Sequence, residues 1–159
     1  MREDSFINLP TNLPVPEDDG LASHLIGVNL PSIQLESTND QKVDLSKIDQ
    51  KLVLYCYPMT GHPNVPLPNG WNEIPGARGC TPQSCSFRDH HGEFLELGVE
   101  VFGLSTQSTE YQKEMVERLR LPFPVLSDAN RQFADVLDLP TFTVDGVILL
   151  KRLTMIASK

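Results

Sequence analysis

At 159 residues, with 40% hydrophobic and 21% charged side chains, the chain is sized for one domain around a single core, and it is neither a disordered tail nor a membrane-spanning protein. Acidic residues outnumber basic ones 21 to 13, and the resulting formal charge of −8 repels phosphate backbones and anionic lipids, which excludes nucleic acid and membrane surfaces as expected partners. The stretch Met1–Phe6 holds no apolar run of the kind a signal peptide needs, so a cytoplasmic setting with reduced thiols is expected.

Residues 1–24 carry Pro10, Pro14 and Pro16 beside the acidic run Glu17–Asp19, which predicts an extended, loosely held leader ahead of one domain over residues 25–159. Ser32–Leu35 and Gln41–Leu45 read as short strands around a turn at Asn39-Asp40. Lys51–Tyr57 is almost continuously apolar, as in a strand covered on both faces, and Pro58 ends it. From Thr60 to Gly79, proline and glycine rule out helix or ladder and predict a long loop, of the kind that is functional or mobile in compact domains. A helix is expected over Thr81–Leu97, with Cys85, Phe87, Phe94 and Leu97 facing inward and Gly98 as its left-handed cap.

Val99–Ser105 reads as a second buried strand. Ser108 or Thr109 can cap the next helix, which carries Tyr111, Met115, Val116 and Leu119 at helical spacing and stops before Pro122 and Pro124. Val125-Leu126 is a short strand, and Asp128 caps a helix through Leu137 with Phe133, Val136 and Leu137 inward. Thr141–Val144 and Val147–Ala157 flank Asp145-Gly146, a strong hairpin signal. This alternation predicts an α/β fold: a sheet with helices on both faces, made mixed by the closing antiparallel hairpin.

The chemistry concentrates at Gly79-Cys80-Thr81-Pro82-Gln83-Ser84-Cys85, where the long loop meets the helix. The first turn of a helix presents unsatisfied N–H groups and partial positive charge, which favour a cysteine's thiolate, the reactive form. Pro82 suits the first turn, and Gly79 lets the backbone approach whatever the sulfur attacks. Five positions along a regular helix put the Cα atoms of Cys80 and Cys85 roughly 8–9 Å apart. A disulfide requires less than about 7 Å, so a bond between the two requires the first turn to unwind.

Cys56, inside the buried strand, reads as a small core hydrophobe, whereas Cys85 alone leaves the core and reactive readings equally open. His90 and His91 follow Cys85, yet one loose pair without a second knuckle is not a zinc pattern, and no metal or cofactor is expected.

Three segments resemble the peroxiredoxins, in particular the bacterioferritin-comigratory (Q-type) branch of the thioredoxin-like superfamily. They are Tyr55-Cys56-Tyr57-Pro58 with Gly79–Asp89, then Val101–Ser108, then Leu121–Asp128. The resemblance implies a thioredoxin-like mixed sheet flanked by helices and a thiol peroxidase acting on hydrogen peroxide and small organic hydroperoxides. It makes Cys80 the peroxidatic cysteine and Cys85 the resolving one, with their disulfide reduced by thioredoxin or a similar dithiol protein. Arg152, in Lys151–Ile156, resembles the arginine that holds the thiolate and polarises the peroxide. Pro58 and Gly79 fall at the family's substrate-binding positions.

Two departures stand out. Ala77 occupies the position of the family's hydroxyl, and a Pro/Gly-rich insertion at about residues 61–74 separates Pro58 from Cys80, so Thr60 is the candidate to supply the hydroxyl. The resemblance also implies a further strand and a long helix after the arginine strand, whereas the sequence stops at Lys159, so either it is truncated or one edge of the sheet is uncovered. The uncovered hairpin edge is a candidate dimer contact, and the expected state is monomer or homodimer. The alternative functions are a thioredoxin-like dithiol oxidoreductase or redox sensor without efficient peroxide turnover, and a binding domain that keeps the fold.

Overall fold

The computed structural model describes residues 4–159. Its elements in chain order are α1 (Asp4–Ile7), β1 (Gln34–Ser37), β2 (Lys42–Asp44), β3 (Lys51–Cys56), α2 (Cys80–Asp89), α3 (His91–Glu96), β4 (Val99–Ser105), α4 (Thr109–Leu119), β5 (Val125–Ser127), α5 (Gln132–Leu137), β6 (Thr141–Val144), β7 (Val147–Leu150) and β8 (Leu153–Ala157). Six strands form one mixed sheet in the order β2-β1-β5-β4-β3-β8. The central β3, β4 and β5 are parallel, while β1 and β8 run antiparallel to their neighbours.

The apolar run of β3 is explained by cover on both faces. Successive side chains of a strand point to opposite sides. Leu52, Leu54 and Cys56 accordingly enter one core with Leu104, Leu126, Phe133 and Leu150, while Tyr55 and Tyr57 enter the other with Val101, Met115, Phe123 and Val125. Phe87 and Phe94 border the second core, which seats α2 against the sheet.

The β6–β7 hairpin follows its sequence signal, since Asp145 and Gly146 both take positive φ (50° and 76°) as the tight two-residue turn demands. The expected continuous strand to Ala157 is nevertheless divided. The hairpin stands as a separate two-stranded sheet, the chain leaves it at Lys151 and Arg152, and β8 joins the main sheet beside β3. The inserted loop closes over this hairpin. Trp71 and Ala77 form a third small core with Val144 and Leu149, and Ile74 and Phe142 pack against it. Among the described residues, the outer edge of β8 has no strand partner.

Several local expectations need correction. The helix expected over Thr81–Leu97 breaks at His90, which leaves helical geometry (φ −100°, ψ 6°); its carbonyl becomes the first acceptor of α3. Leu97 lies past the end of α3 and is exposed, and Val136 of α5 points to solvent while Phe133 and Leu137 are buried. Asp128 does cap α5, but across a loop: its carboxylate accepts from the N–H groups of Phe133 (3.1 Å) and Ala134 (2.8 Å). Ser108 caps α4 through the N–H of Tyr111.

The leader departs from expectation in part. It is extended and exposed over most of residues 7–21, as expected, yet it is anchored at three points: α1 buries Phe6 against the rest of the molecule, Pro16 lies against Gly76, and Asp19 forms a 2.6 Å ion pair with Lys151.

Candidate active site

Cys80 is the first residue of α2 and is buried. Gly79 before it takes φ 110°, a left-handed conformation that side chains resist, and this lets the chain turn sharply into the helix. Arg152 comes from the link between β7 and β8, far along the chain. Its Nη2 donates to Cys80 Sγ at 3.2 Å and to the carbonyls of Gly76 (2.9 Å) and Arg78 (3.1 Å). Its Nη1 donates to the side-chain oxygen of Gln83, one turn into α2. A planar fork of donors can hold several acceptors at once, so these contacts fix the guanidinium beside the sulfur. A cation at this distance stabilises negative charge on sulfur.

Next to the sulfur is a cavity of about 10 Å³, whose walls include Phe6, Thr60, Gly61, Gly79, Cys80 and Thr81. That is room for about one water molecule. Thr60 is buried in this wall. Its N–H (3.1 Å) and hydroxyl (3.5 Å) both donate to Gln107 Oε1, and Gln107 Nε2 returns a bond to the Thr60 carbonyl at 3.4 Å. Ala77, at the position where a hydroxyl was expected, offers its carbonyl to the Cys80 thiol at 3.7 Å. Of the two expected substrate-binding residues, Gly79 lines the cavity. Pro58 does not; it is buried where the chain leaves β3.

Cys85 lies in the same helix, half-buried against the Tyr55 cluster, and all three cysteines are free thiols. Tyr55 anchors this helix: its hydroxyl donates to Ser84 at 3.1 Å, and its ring stacks on Phe87 with centroids 4.6 Å apart. Cys56 sits in the opposite core, where burial pushes its thiol up to about 12, the charge of Asp128 adding to the effect. It is a packing residue. His90 pairs with Glu93 on the surface, and no group of three metal-ligating side chains occurs among the described residues.

Of the residues expected from sequence, Arg152 and Gly79 thus adjoin Cys80 and Thr60 lies in the cavity wall, whereas Phe6, Gln83 and Gln107 join them without having been expected. Gln83 and Gln107 lie inside segments that resemble the family, but an amide side chain carries no spacing signal of its own. Phe6 had no local signal at all.

The family model described as Redoxin matches residues 25–159. The chain belongs to the redoxin family. Among its curated relatives, Peroxiredoxin Bcp of Bacillus subtilis is 32% identical over 114 residues, which cover 71% of this chain and 63% of that protein. The chloroplastic Peroxiredoxin Q of Sedum lineare is 32% identical over 120 residues, covering 75% of this chain and 56% of that protein. The chain therefore spans between half and two thirds of the length of these relatives.

Among solved structures, the peroxidoxin BcpB of Mycobacterium tuberculosis superposes with a TM-score of 0.65 at 27% identity, covering 82% of this chain and 76% of that one. A PrxQ of Xylella fastidiosa, with a TM-score of 0.63 at 20% identity and coverage of 95% and 81%, shares the fold. The thioredoxin-like architecture of this redoxin is thus that of peroxiredoxins of the Q and Bcp type.

Proposed function

We propose that this redoxin is a thiol peroxidase in which Cys80 reduces hydrogen peroxide and small hydroperoxides and Cys85 resolves the product. One observation carries this reading: Arg152 Nη2 lies 3.2 Å from a buried sulfur at a helix N-terminus, beside a cavity the size of a water molecule. The Cys80 thiolate attacks one peroxide oxygen, an S–O bond forms and the O–O bond breaks. The departing hydroxide takes a proton and leaves as water, and Cys80 becomes a sulfenic acid. The arginine stabilises both the attacking thiolate and the negative charge growing on the leaving oxygen.

The Cys85 thiol then condenses with the sulfenic acid, releasing a second water and forming an intramolecular disulfide. A thioredoxin-type protein closes the cycle, its two thiols becoming a disulfide as Cys80 and Cys85 are reduced. The curated relatives named peroxiredoxin support this assignment.

Stopped-flow oxidation of the Cys85→Ser variant by hydrogen peroxide, with dimedone capture of the sulfenic acid, tests the reading. Cys80 should oxidise about a thousandfold faster than free cysteine, the scale of a positioned charge stabiliser. Oxidation no faster than free cysteine would leave a dithiol oxidoreductase or redox sensor in its place.

A further inference from the structure

The leader follows the rim of the active site rather than extending into solvent. Phe6 lines the cavity beside Cys80, the Leu9 side chain lies over Gly79, Pro16 lies against Gly76, and Asp19 pairs with Lys151 next to Arg152. The Phe6 ring seats directly on Gly61. A Cβ built on Gly61 would fall 2.1 Å from Phe6 Cε1, far inside any real contact, so the ring occupies space that only a glycine leaves open. The floor under the ring is held as well. The Gly61 carbonyl accepts from Arg118 Nη2 at 3.1 Å, and Arg118 is itself clamped by Glu114 at 2.6 Å.

Phe6 is nearly inaccessible, at 4% exposure, and the cavity that it lines together with Cys80 has a volume of about 10 Å³. A dioxygen unit with hydrogens at both ends is the smallest peroxide. An organic hydroperoxide carries a carbon group on one oxygen, and a cavity of this size leaves no room for a bulky group while the Phe6 ring forms part of its wall. We infer that Phe6 is a specificity-determining residue, a plug that makes Cys80 select hydrogen peroxide over bulky organic hydroperoxides. The inference rests on the peroxidase reading above and adds to it the substrate class that the leader excludes.

The experiment compares Cys80 oxidation by hydrogen peroxide and by cumene hydroperoxide, read by rapid quench and mass spectrometry in the full chain, for the parent, Phe6→Ala and Gly61→Ala. Phe6→Ala removes the plug, and Gly61→Ala displaces it from the opposite side without touching Phe6, so the two variants guard against a folding defect in either. Each should raise the ratio of the cumene hydroperoxide rate to the hydrogen peroxide rate about tenfold or more, the usual scale of discrimination by a small apolar volume. Brisk oxidation by hydrogen peroxide with a ratio unmoved in both variants overturns the role of Phe6 alone. A parent Cys80 indifferent to both peroxides overturns the peroxidase reading and this selectivity together.

Discussion

Arg152 grips the Cys80 sulfur with one guanidinium nitrogen and the Gln83 side chain with the other, although it lies 72 residues from the first and 69 from the second. The charge that acts on the sulfur is therefore positioned by the same helix that carries the sulfur. Three backbone carbonyls, of Gly76, Ala77 and Arg78, hold the guanidinium from the loop side, so its placement does not depend on a single contact.

Replacing Arg152 with Met should slow peroxide oxidation of Cys80 by about 10²–10³, the cost of removing one preorganised charge stabiliser. Arg152→Lys should recover little, because a single ammonium cannot span sulfur, carbonyls and amide together. Gln83 is a positioning residue, and Gln83→Ala should lower kcat/KM several-fold in the parent. In the Arg152→Met background it should cost nothing further, since the group it orients is gone. Additive losses in that double-mutant cycle would show that Gln83 acts by some other route.

Thr60 presents the hydroxyl nearest in kind to the one missing at Ala77, and Gln107 holds it in the cavity wall. Thr60→Val keeps shape and burial but removes the hydroxyl, and should lower kcat/KM for hydrogen peroxide about tenfold, within the range of one lost hydrogen bond to a charged transition state. Thr60→Ser should stay near the parent. Full activity in the Val variant would leave the backbone N–H groups at the start of α2 to bind the peroxide.

The disulfide proposed between Cys80 and Cys85 would demand a change of conformation. Both cysteines lie in continuous helix, where five residues separate Cα atoms by roughly 8–9 Å, beyond the limit of about 7 Å for a disulfide. Amide hydrogen exchange over residues 80–89 should therefore be markedly faster in the oxidised protein, and equal protection in both states would disprove the unwinding. Tyr55 opposes that unwinding through Ser84 and Phe87. Tyr55→Phe removes a bond worth about 1 kcal/mol and should speed disulfide closure about fivefold.

How far the sequence reveals this site follows from the range of the forces involved. The run Lys51–Cys56, the Asp145-Gly146 turn and the Ser108 cap are readable because each is set by neighbours along the chain. Cys80 is readable for the same reason: the glycine, the proline and the helix start beside it are local. Phe6 is invisible locally, since a lone aromatic in a proline-rich stretch is buried only because Gly61, far away in sequence, leaves a place for its ring. The break at His90 has no proline to announce it, and Gly92 lies two residues beyond. The division of Val147–Ala157 did have a signal, the charged pair Lys151-Arg152 inside an apolar run. The chain changes sheets there, and the arginine is thereby released toward the sulfur.

Asp128 gives the fold a pH dependence with a definite sign. It is almost wholly buried, and burial raises its pKa above the ordinary carboxylate value, despite the opposing N–H bonds from Ala134 and Phe133. The folded chain thus keeps this proton to higher pH than the unfolded chain does. Between the two values the native state binds more protons, so this group's contribution to stability is greatest in acid and declines as pH rises through the native value. Asp128→Asn abolishes that titration but loses one of the two acceptors that cap α5, a cost of about 1 kcal/mol. Urea unfolding at pH 4 and pH 7 should show the variant less stable than the parent at both, with the gap narrower at pH 7. A gap that widens toward neutral pH would mean that the native carboxylate is stabilised as an anion.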